Sequence, residues 1–331
     1  MMETPMDAHT IITELYTSLN ARNRTIRRVF FIACGGSLAG IYPGFYLLDR
    51  ESKSMNSRLY NSRELVLTPP MALDGETLVI ACTLAGTPET LEALDYAKSK
   101  GAVTIAIFGQ NYTYGGASVD YILHFKTIAD TNTPMLETNV VVALQLGFSL
   151  LKVVEEYPYY QEAELAYTLL ETMAKEVRTY VQSRARKFAT QFAQTPFLYV
   201  LASRAAMGEA YAFVLCSLME IQWINSSLLN SAEFFHGSFE ILDKSTPILQ
   251  LIGSGESRKA DDRATAFLKR MGENYFLLDV KELFIDILPL HVKEYFQHTA
   301  FDLALREFVT QLAIERKHDK SVRRYMWTLE Y

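Results

Sequence analysis

The stretch Val29-Phe-Phe-Ile-Ala-Cys34, closed by Gly35-Gly36-Ser37, decides the fold of this chain. The run is short and continuously apolar, and two glycines follow it at once. Strands that are apolar on both faces are typical of the centre of a parallel sheet, where helices cover either side. The stretch therefore predicts a central β-strand that ends in a turn at residues 35–37.

The same pattern returns further along the chain. A second apolar run at 77–82 is closed by Thr83-Leu-Ala-Gly-Thr87, and Pro88 then opens a helical pattern. Proline in the first turn is a usual start of a helix. Further strands are predicted at 103–108 and 119–125. Strands and helices that alternate at this spacing predict an α/β fold with a doubly wound parallel sheet.

A second set of predicted elements follows a helical stretch near residues 135–194. We expect strands at 197–202, 247–252 and 275–280, and helices at 207–222 and 260–271. The repeated order predicts two tandem domains, residues 1–160 with a leading helix at 8–22, and residues 161–331. A chain of 331 residues is long enough to form two cores.

Composition excludes several classes of protein. The net charge is −6 and no block of five or more Lys and Arg occurs, so no nucleic-acid partner is expected. The sequence contains no CxxC or HExxH motif, so we expect no metal site and no cofactor. Three isolated cysteines favour a reduced, cytoplasmic protein. No signal peptide and no apolar stretch of membrane-spanning length is expected.

Two turns are candidate phosphate sites, because ligands of parallel α/β sheets bind where strands end and helices begin. The first turn offers Gly36 and Ser37, and the second offers Thr83, Gly86 and Thr87. Glycine lets the backbone approach a ligand closely, and the first N–H groups of a helix attract anions. Neither turn matches the GxGxxG or GxxxxGK[ST] motifs. The alternative interpretation is a pair of ordinary strand-to-helix turns.

Glu220 is the only charged residue between Ala210 and Ala232. A carboxylate in an apolar helix is costly unless it is paired or protonated. The functional interpretation is a general acid or base, and the alternative is a structural, hydrogen-bonded glutamate. His236 is a second candidate catalytic residue, and Glu233, three residues before it, is close enough on a helical turn to support its imidazole.

Several of these motifs resemble tandem SIS (sugar isomerase) domain proteins, and among them the deglycases of 6-phosphorylated fructosamines, which are Amadori compounds. The resemblance covers nearly the whole chain. The motifs that carry it are Cys34-Gly-Gly-Ser37, the loop at 83–90, Met219-Glu-Ile-Gln-Trp223, Glu233-Phe-Phe-His-Gly237 and Arg323-Arg-Tyr-Met-Trp327.

The resemblance implies two αβα sandwiches, each with a parallel five-stranded sheet, and a homodimer or higher homo-oligomer with interfacial active sites. It implies a sugar phosphate on Ser37, Thr83 and Thr87, with Glu220 and His236 as catalytic residues. The implied activity is cleavage of a fructosamine 6-phosphate to glucose 6-phosphate and a free amino acid. A phosphosugar aldose–ketose isomerase and a non-catalytic sugar-phosphate sensor are the alternatives.

The chain departs from the family pattern in two places. The second turn is one residue shorter than usual, and Ala85 stands where a polar side chain is common. The isomerase lysine that related glucosamine 6-phosphate synthases carry near the C-terminus has no counterpart here, which points away from ordinary isomerisation.

Overall fold

The computed structural model describes residues 7–330. The chain divides into two compact units between Thr168 and Leu169. The domain limits of 1–160 and 161–331 stay a prediction. No helix among the described residues is long and apolar enough to cross a membrane.

The first unit contains a five-stranded parallel sheet in the order β2-β1-β3-β4-β5. Its strands are β1 (Arg28–Ala33), β2 (Asn56–Asn61), β3 (Thr77–Thr83), β4 (Val103–Gly109) and β5 (Tyr121–Phe125). Its helices are α1 (Ala8–Ala21), α2 (Gly35–Glu51), α3 (Ser62–Leu67), α4 (Pro88–Ser99) and α5 (Asn139–Glu155). Every residue of β3 and β4 is buried, as expected of central strands under helices on both faces.

The second unit contains a four-stranded parallel sheet in the order β7-β6-β8-β9. The strands are β6 (Phe197–Ala202), β7 (Asn225–Asn230), β8 (Ile248–Ile252) and β9 (Tyr275–Asp279). The helices are α7 (Met207–Ala212), α8 (Arg258–Met271) and α9 (Lys293–Arg316). Helix α6 (Tyr160–Phe192) begins in the first unit and ends in the second.

The predicted α/β class with two parallel sheets is confirmed, whereas the predicted five strands of the second sheet are wrong for the described residues. After β9 the chain forms two short 3₁₀ turns, Val280–Leu283 and Ile285–Ile287, and then enters α9. These turns bury Val280, Leu283 and Ile285, whose spacing does not alternate along the chain as a strand requires. No segment is left there to form a fifth strand.

The segment predicted as one α-helix over 207–222 is divided. It is α-helical over Met207–Ala212 and then π-helical over Phe213–Ile221. Pi-helical turns are rare in proteins, and those that occur often lie at functional sites. The π-helical segment carries Glu220.

Candidate active site

The first predicted turn lies at the carboxyl end of β1. Gly35 adopts a φ of +53°, a conformation that favours glycine, and α2 begins there. Gly36 and Ser37 therefore occupy the first turn of α2, where the leading N–H groups have no partner within the helix. Donors of this kind are suited to an anion.

The Ser37 side chain is directed towards β3. Burial raises the pKa of the Cys82 thiol to about 12, and hydrogen bonds from Ser37 and Asn139 oppose that rise. Cys82 immediately precedes Thr83, the last residue of β3. Since β1 and β3 are neighbouring parallel strands, with Ile32 opposite Ala81, both turns lie at the same edge of the sheet.

The second turn is closed by its two threonines. The hydroxyl of Thr83 lies 3.0 Å from that of Thr87 and accepts a hydrogen bond from the Thr87 N–H at 2.9 Å. Gly86 has a φ of +75°. The N–H groups of Ala85 and Gly86 donate to no acceptor within residues 7–330. This edge thus combines hydroxyls with free amide donors, and it has no acidic side chain among its predicted residues.

Glu220 is paired rather than isolated. Its Oε1 accepts a hydrogen bond from Nε of Arg323 at 3.0 Å and forms an ion pair with Nη2 of the same guanidinium at 2.9 Å. The two side chains are 23 % and 12 % exposed, so the pair is largely shielded but still reachable from solvent. Charged hydrogen bonds to a guanidinium fix both orientation and charge. Arg323 therefore supplies the counter-charge of the candidate base.

Aromatic side chains lie against Arg323 and its neighbour Arg324. The Arg323 guanidinium lies 5.3 Å from the Trp327 ring centre, and that of Arg324 lies 4.3 Å from the Trp223 ring centre. Both distances suit cation–π attraction. The tail of the chain thus contacts the segment that carries Glu220 through two neighbouring arginines.

His236 lies in a separate, exposed position in the second unit. It ends a short 3₁₀ turn, Phe234–His236, which follows β7. Glu233 contacts it through the backbone, since the His236 N–H donates to the Glu233 carbonyl at 2.9 Å. No hydrogen bond joins the Glu233 carboxylate to the imidazole in the part of the chain that the structure describes. The supporting role of Glu233 stays a prediction, as do the roles of the other site residues.

The second unit has its own pair of turns at the equivalent edge of its sheet, after β6 and β8. Here the carboxylate of Asp261 occupies the turns, because its Oδ2 accepts from the Ser203 hydroxyl and from the Gly253 N–H, each at 3.0 Å. Gln297 accepts from the Ser254 N–H at 2.7 Å. These three donors at the edge are therefore already used within the protein.

Arg323 contacts the candidate base Glu220, which the sequence did not predict. The motif at 323–327 resembles that of the tandem SIS domain proteins. Its pairing with Glu220 joins positions 103 residues apart, so no local pattern indicates it. Among residues 7–330, no group of three or more His, Cys, Asp or Glu side chains could hold a metal ion.

Comparisons with known proteins give close, nearly full-length relatives. The chain is 36 % identical to fructosamine deglycase FrlB of Bacillus subtilis (strain 168) over 94 % of both chains. It is 26 % identical to the fructoselysine 6-phosphate deglycase of Escherichia coli (strain K12), over 83 % of this chain and 78 % of that protein.

A solved structure shows the same likeness in three dimensions. A Salmonella typhimurium LT2 protein assigned as a phosphosugar isomerase superposes with a TM-score of 0.91 at 33 % identity, over 98 % of this chain and 99 % of that one. No family model matches the chain.

Proposed function

Because the chain belongs to the tandem SIS domain family, among the fructosamine deglycases, we propose that it cleaves a 6-phosphorylated fructosamine to glucose 6-phosphate and a free amino acid. The observation that carries the proposal is the 36 % identity to fructosamine deglycase FrlB over nearly the full length of both chains. The paired carboxylate of Glu220 supports it, because the reaction needs a positioned base.

The substrate phosphate would bind at the edge of the first sheet. Ser37, Thr83 and Thr87 offer hydroxyls, and the first turn of α2 and the N–H groups of Ala85 and Gly86 offer backbone donors. Phosphate oxygens accept such hydrogen bonds, and the α2 terminus adds a favourable dipole.

The chemistry follows from the substrate. A fructosamine has a carbonyl at C2 and a methylene at C1 that bears the amine, and the carbonyl acidifies the C1 protons. Glu220 would remove one C1 proton, and His236 would protonate the C2 oxygen as negative charge develops there. Return of a proton to C2 gives an imine between C1 and nitrogen, which water hydrolyses to the aldehyde and the free amine. Each acid–base group contributes about 10²–10⁴-fold.

Arg323 would hold the base in place. Its hydrogen bond from Nε and its ion-pair contact from Nη2 both go to one oxygen, Oε1, and Oε2 of Glu220 has no hydrogen-bond partner in the described chain. An oxygen without a donor is the better candidate to accept the C1 proton, because its lone pairs are free.

The test is turnover of 6-phosphorylated fructosamines, followed by release of glucose 6-phosphate and of amino acid. We expect Glu220→Gln and His236→Ala to lose at least about 100-fold in kcat. Glu240→Gln is a matched control, since Glu240 is an exposed glutamate in the turn that follows His236. Wild-type turnover by both site variants would refute the mechanism. Conversion of an amine-free ketose phosphate to its aldose, with no fructosamine cleavage, would establish the isomerase instead.

We also propose that the protein acts as a homodimer or higher homo-oligomer with active sites at the interface. Exposed apolar side chains next to the Glu220 ion pair support this, among them Trp327, which is 77 % exposed, and Tyr325. Large exposed apolar groups are typical of interaction surfaces. Light scattering of the purified protein would test the proposal, and a monomer at micromolar concentration would contradict it.

A cytoplasmic location is the remaining proposal. Cys34, Cys82 and Cys216 are free thiols, as is usual in a reducing compartment. Cell fractionation would test it.

A further inference from the structure

The loop that follows β4 places an aromatic ring on the second phosphate turn. A Cβ atom built on Gly86 would lie 2.3 Å from Cε2 and Cζ of Tyr112 and 2.5 Å from its hydroxyl oxygen. The phenol ring therefore lies directly against the backbone of Gly86. Only a residue without a side chain allows so close an approach.

The position of this ring is set by the sheet. Tyr112 packs edge-on against Phe108, with ring centres 5.1 Å apart, and Phe108 is a buried residue of β4. The Tyr112 N–H donates to the Gly109 carbonyl at 2.9 Å, which closes the turn that leads out of the strand. A tyrosine held at its ring has little rotamer freedom to lose when its hydroxyl binds a ligand.

The Tyr112 hydroxyl has no hydrogen-bond partner among residues 7–330, although its ring is partly buried. Its neighbour Tyr114 differs, because the Tyr114 hydroxyl accepts from the Ser118 N–H at 3.2 Å and so has a structural partner. Both rings pack on Phe108. The loop thus presents two similar tyrosines, of which Tyr112 lies against Gly86 of the phosphate turn and Tyr114 lies against Gly116.

The turn itself lacks a side-chain donor at its tip. Ala85 offers only its N–H group there, and the Thr83 and Thr87 hydroxyls already contact each other. A phosphate carries three terminal oxygens, so it accepts more hydrogen bonds than this turn alone provides.

Resting on the proposed function, we propose that the Tyr112 hydroxyl donates a hydrogen bond to the substrate phosphate and is the side-chain donor that Ala85 does not provide. Tyr112 is then a binding residue of the first unit, contributed by the loop after β4. It acts on affinity for the phosphate and leaves the acid–base chemistry to other residues.

The test compares Tyr112→Phe with Tyr114→Phe, which removes the same atom from the neighbouring ring. Calorimetry would measure the Kd of glucose 6-phosphate, and inhibition kinetics would measure the Ki of inorganic phosphate. A hydrogen bond to a charged group corresponds to a loss of about tenfold or more. We expect Tyr112→Phe to raise both constants about tenfold. Tyr114→Phe should leave both constants unchanged.

Equal affinity of wild type and Tyr112→Phe for both ligands would overturn the inference while leaving the proposed function intact. A loss for glucose 6-phosphate without a loss for inorganic phosphate would also overturn it, because the hydroxyl would then contact the sugar. Failure of the wild-type protein to bind either ligand would instead contradict the proposed phosphate site. Ser37→Ala, which removes a predicted site hydroxyl, serves as the positive control for weakened binding.

Discussion

Replacement of Gly86 by alanine tests how the second turn is built, and Gly101→Ala is a matched control in the same unit. Both glycines have positive φ, +75° and +83°, so an alanine pays the same backbone penalty at either position. That penalty is roughly 1–2 kcal/mol for a residue in the left-handed region. The surroundings of the two positions differ.

The Cβ of an alanine at 101 would meet Gly75 atoms at 3.8 Å, an ordinary contact, whereas at 86 it would lie 2.3 Å from the Tyr112 ring. Gly86→Ala must therefore displace Tyr112 in addition to straining the turn. We expect a loss of about 1–2 kcal/mol in the free energy of unfolding for Gly101→Ala and at least as large a loss for Gly86→Ala, but an increase in KM of about tenfold for Gly86→Ala alone.

Urea denaturation and steady-state kinetics on the same preparations would measure the two effects. For a unit of this size, each kcal/mol also corresponds to about 2–4 °C in the melting temperature. If Gly101→Ala raised KM as much as Gly86→Ala, general destabilisation would explain the result. If Gly86→Ala left KM unchanged, the turn would not contact the substrate. Either result would refute the reasoning.

Three further predictions concern the second unit. Arg323→Ala should lower kcat/KM about 10- to 100-fold, because hydrogen bonds to a charged group contribute about 1.5–3 kcal/mol. Arg324→Ala is the control, because it removes a guanidinium that stacks on tryptophan and should leave kcat/KM unchanged. Equal losses in the two variants would contradict the pairing of Arg323 with Glu220. Burial raises the pKa of Glu209 from 4.5 to about 7, and a neighbouring carboxylate adds to the rise. The folded protein therefore binds the proton of the Glu209 carboxyl group more tightly than the unfolded chain does. The stability that this proton contributes is lost as the pH rises from 4.5 to 7. Glu209→Gln should therefore lose less stability than wild type between pH 5 and pH 8, by about 2 kcal/mol in urea denaturation, and parallel profiles would disprove this. Phe188→Ala should cost about 3–5 kcal/mol in the same assay, because this fully buried ring contacts four other phenylalanines, and a loss below about 1 kcal/mol would show that the core refills the space.

The central strands could be predicted from the sequence, and two edge strands could not. β1, β3 and β4 are apolar runs because they are covered on both faces. β2 (Asn56–Asn61) and β7 (Asn225–Asn230) each lie at an edge of their sheet, and their sequences are mostly polar and partly exposed. A polar stretch of this kind resembles a loop when it is considered without its partner strand.

The candidate site shows the same limit. Gly36, Ser37, Thr83 and Thr87 could be selected because they lie at or shortly after the ends of recognisable strands. The contacts of Arg323 with Glu220 and of Tyr112 with Gly86 depend on tertiary structure, and no local pattern predicts them. The π-helical geometry around Glu220 is likewise invisible in a sequence whose apolar spacing suits an α-helix.

The Asp261 carboxylate makes the two sheets chemically unequal although four strands of each follow the same order. Because this carboxylate is part of the same chain as the Ser203 hydroxyl and the Gly253 N–H, its contact with them is intramolecular. Its effective concentration at these two donors therefore exceeds the concentration that a dissolved anion reaches in a cell. An incoming phosphate would have to compete with this built-in anion, whereas the corresponding edge of the first sheet presents its donors without such a competitor. In this way a single acidic side chain can remove one of two equivalent ligand sites from a duplicated fold. The backbone of both sites stays the same.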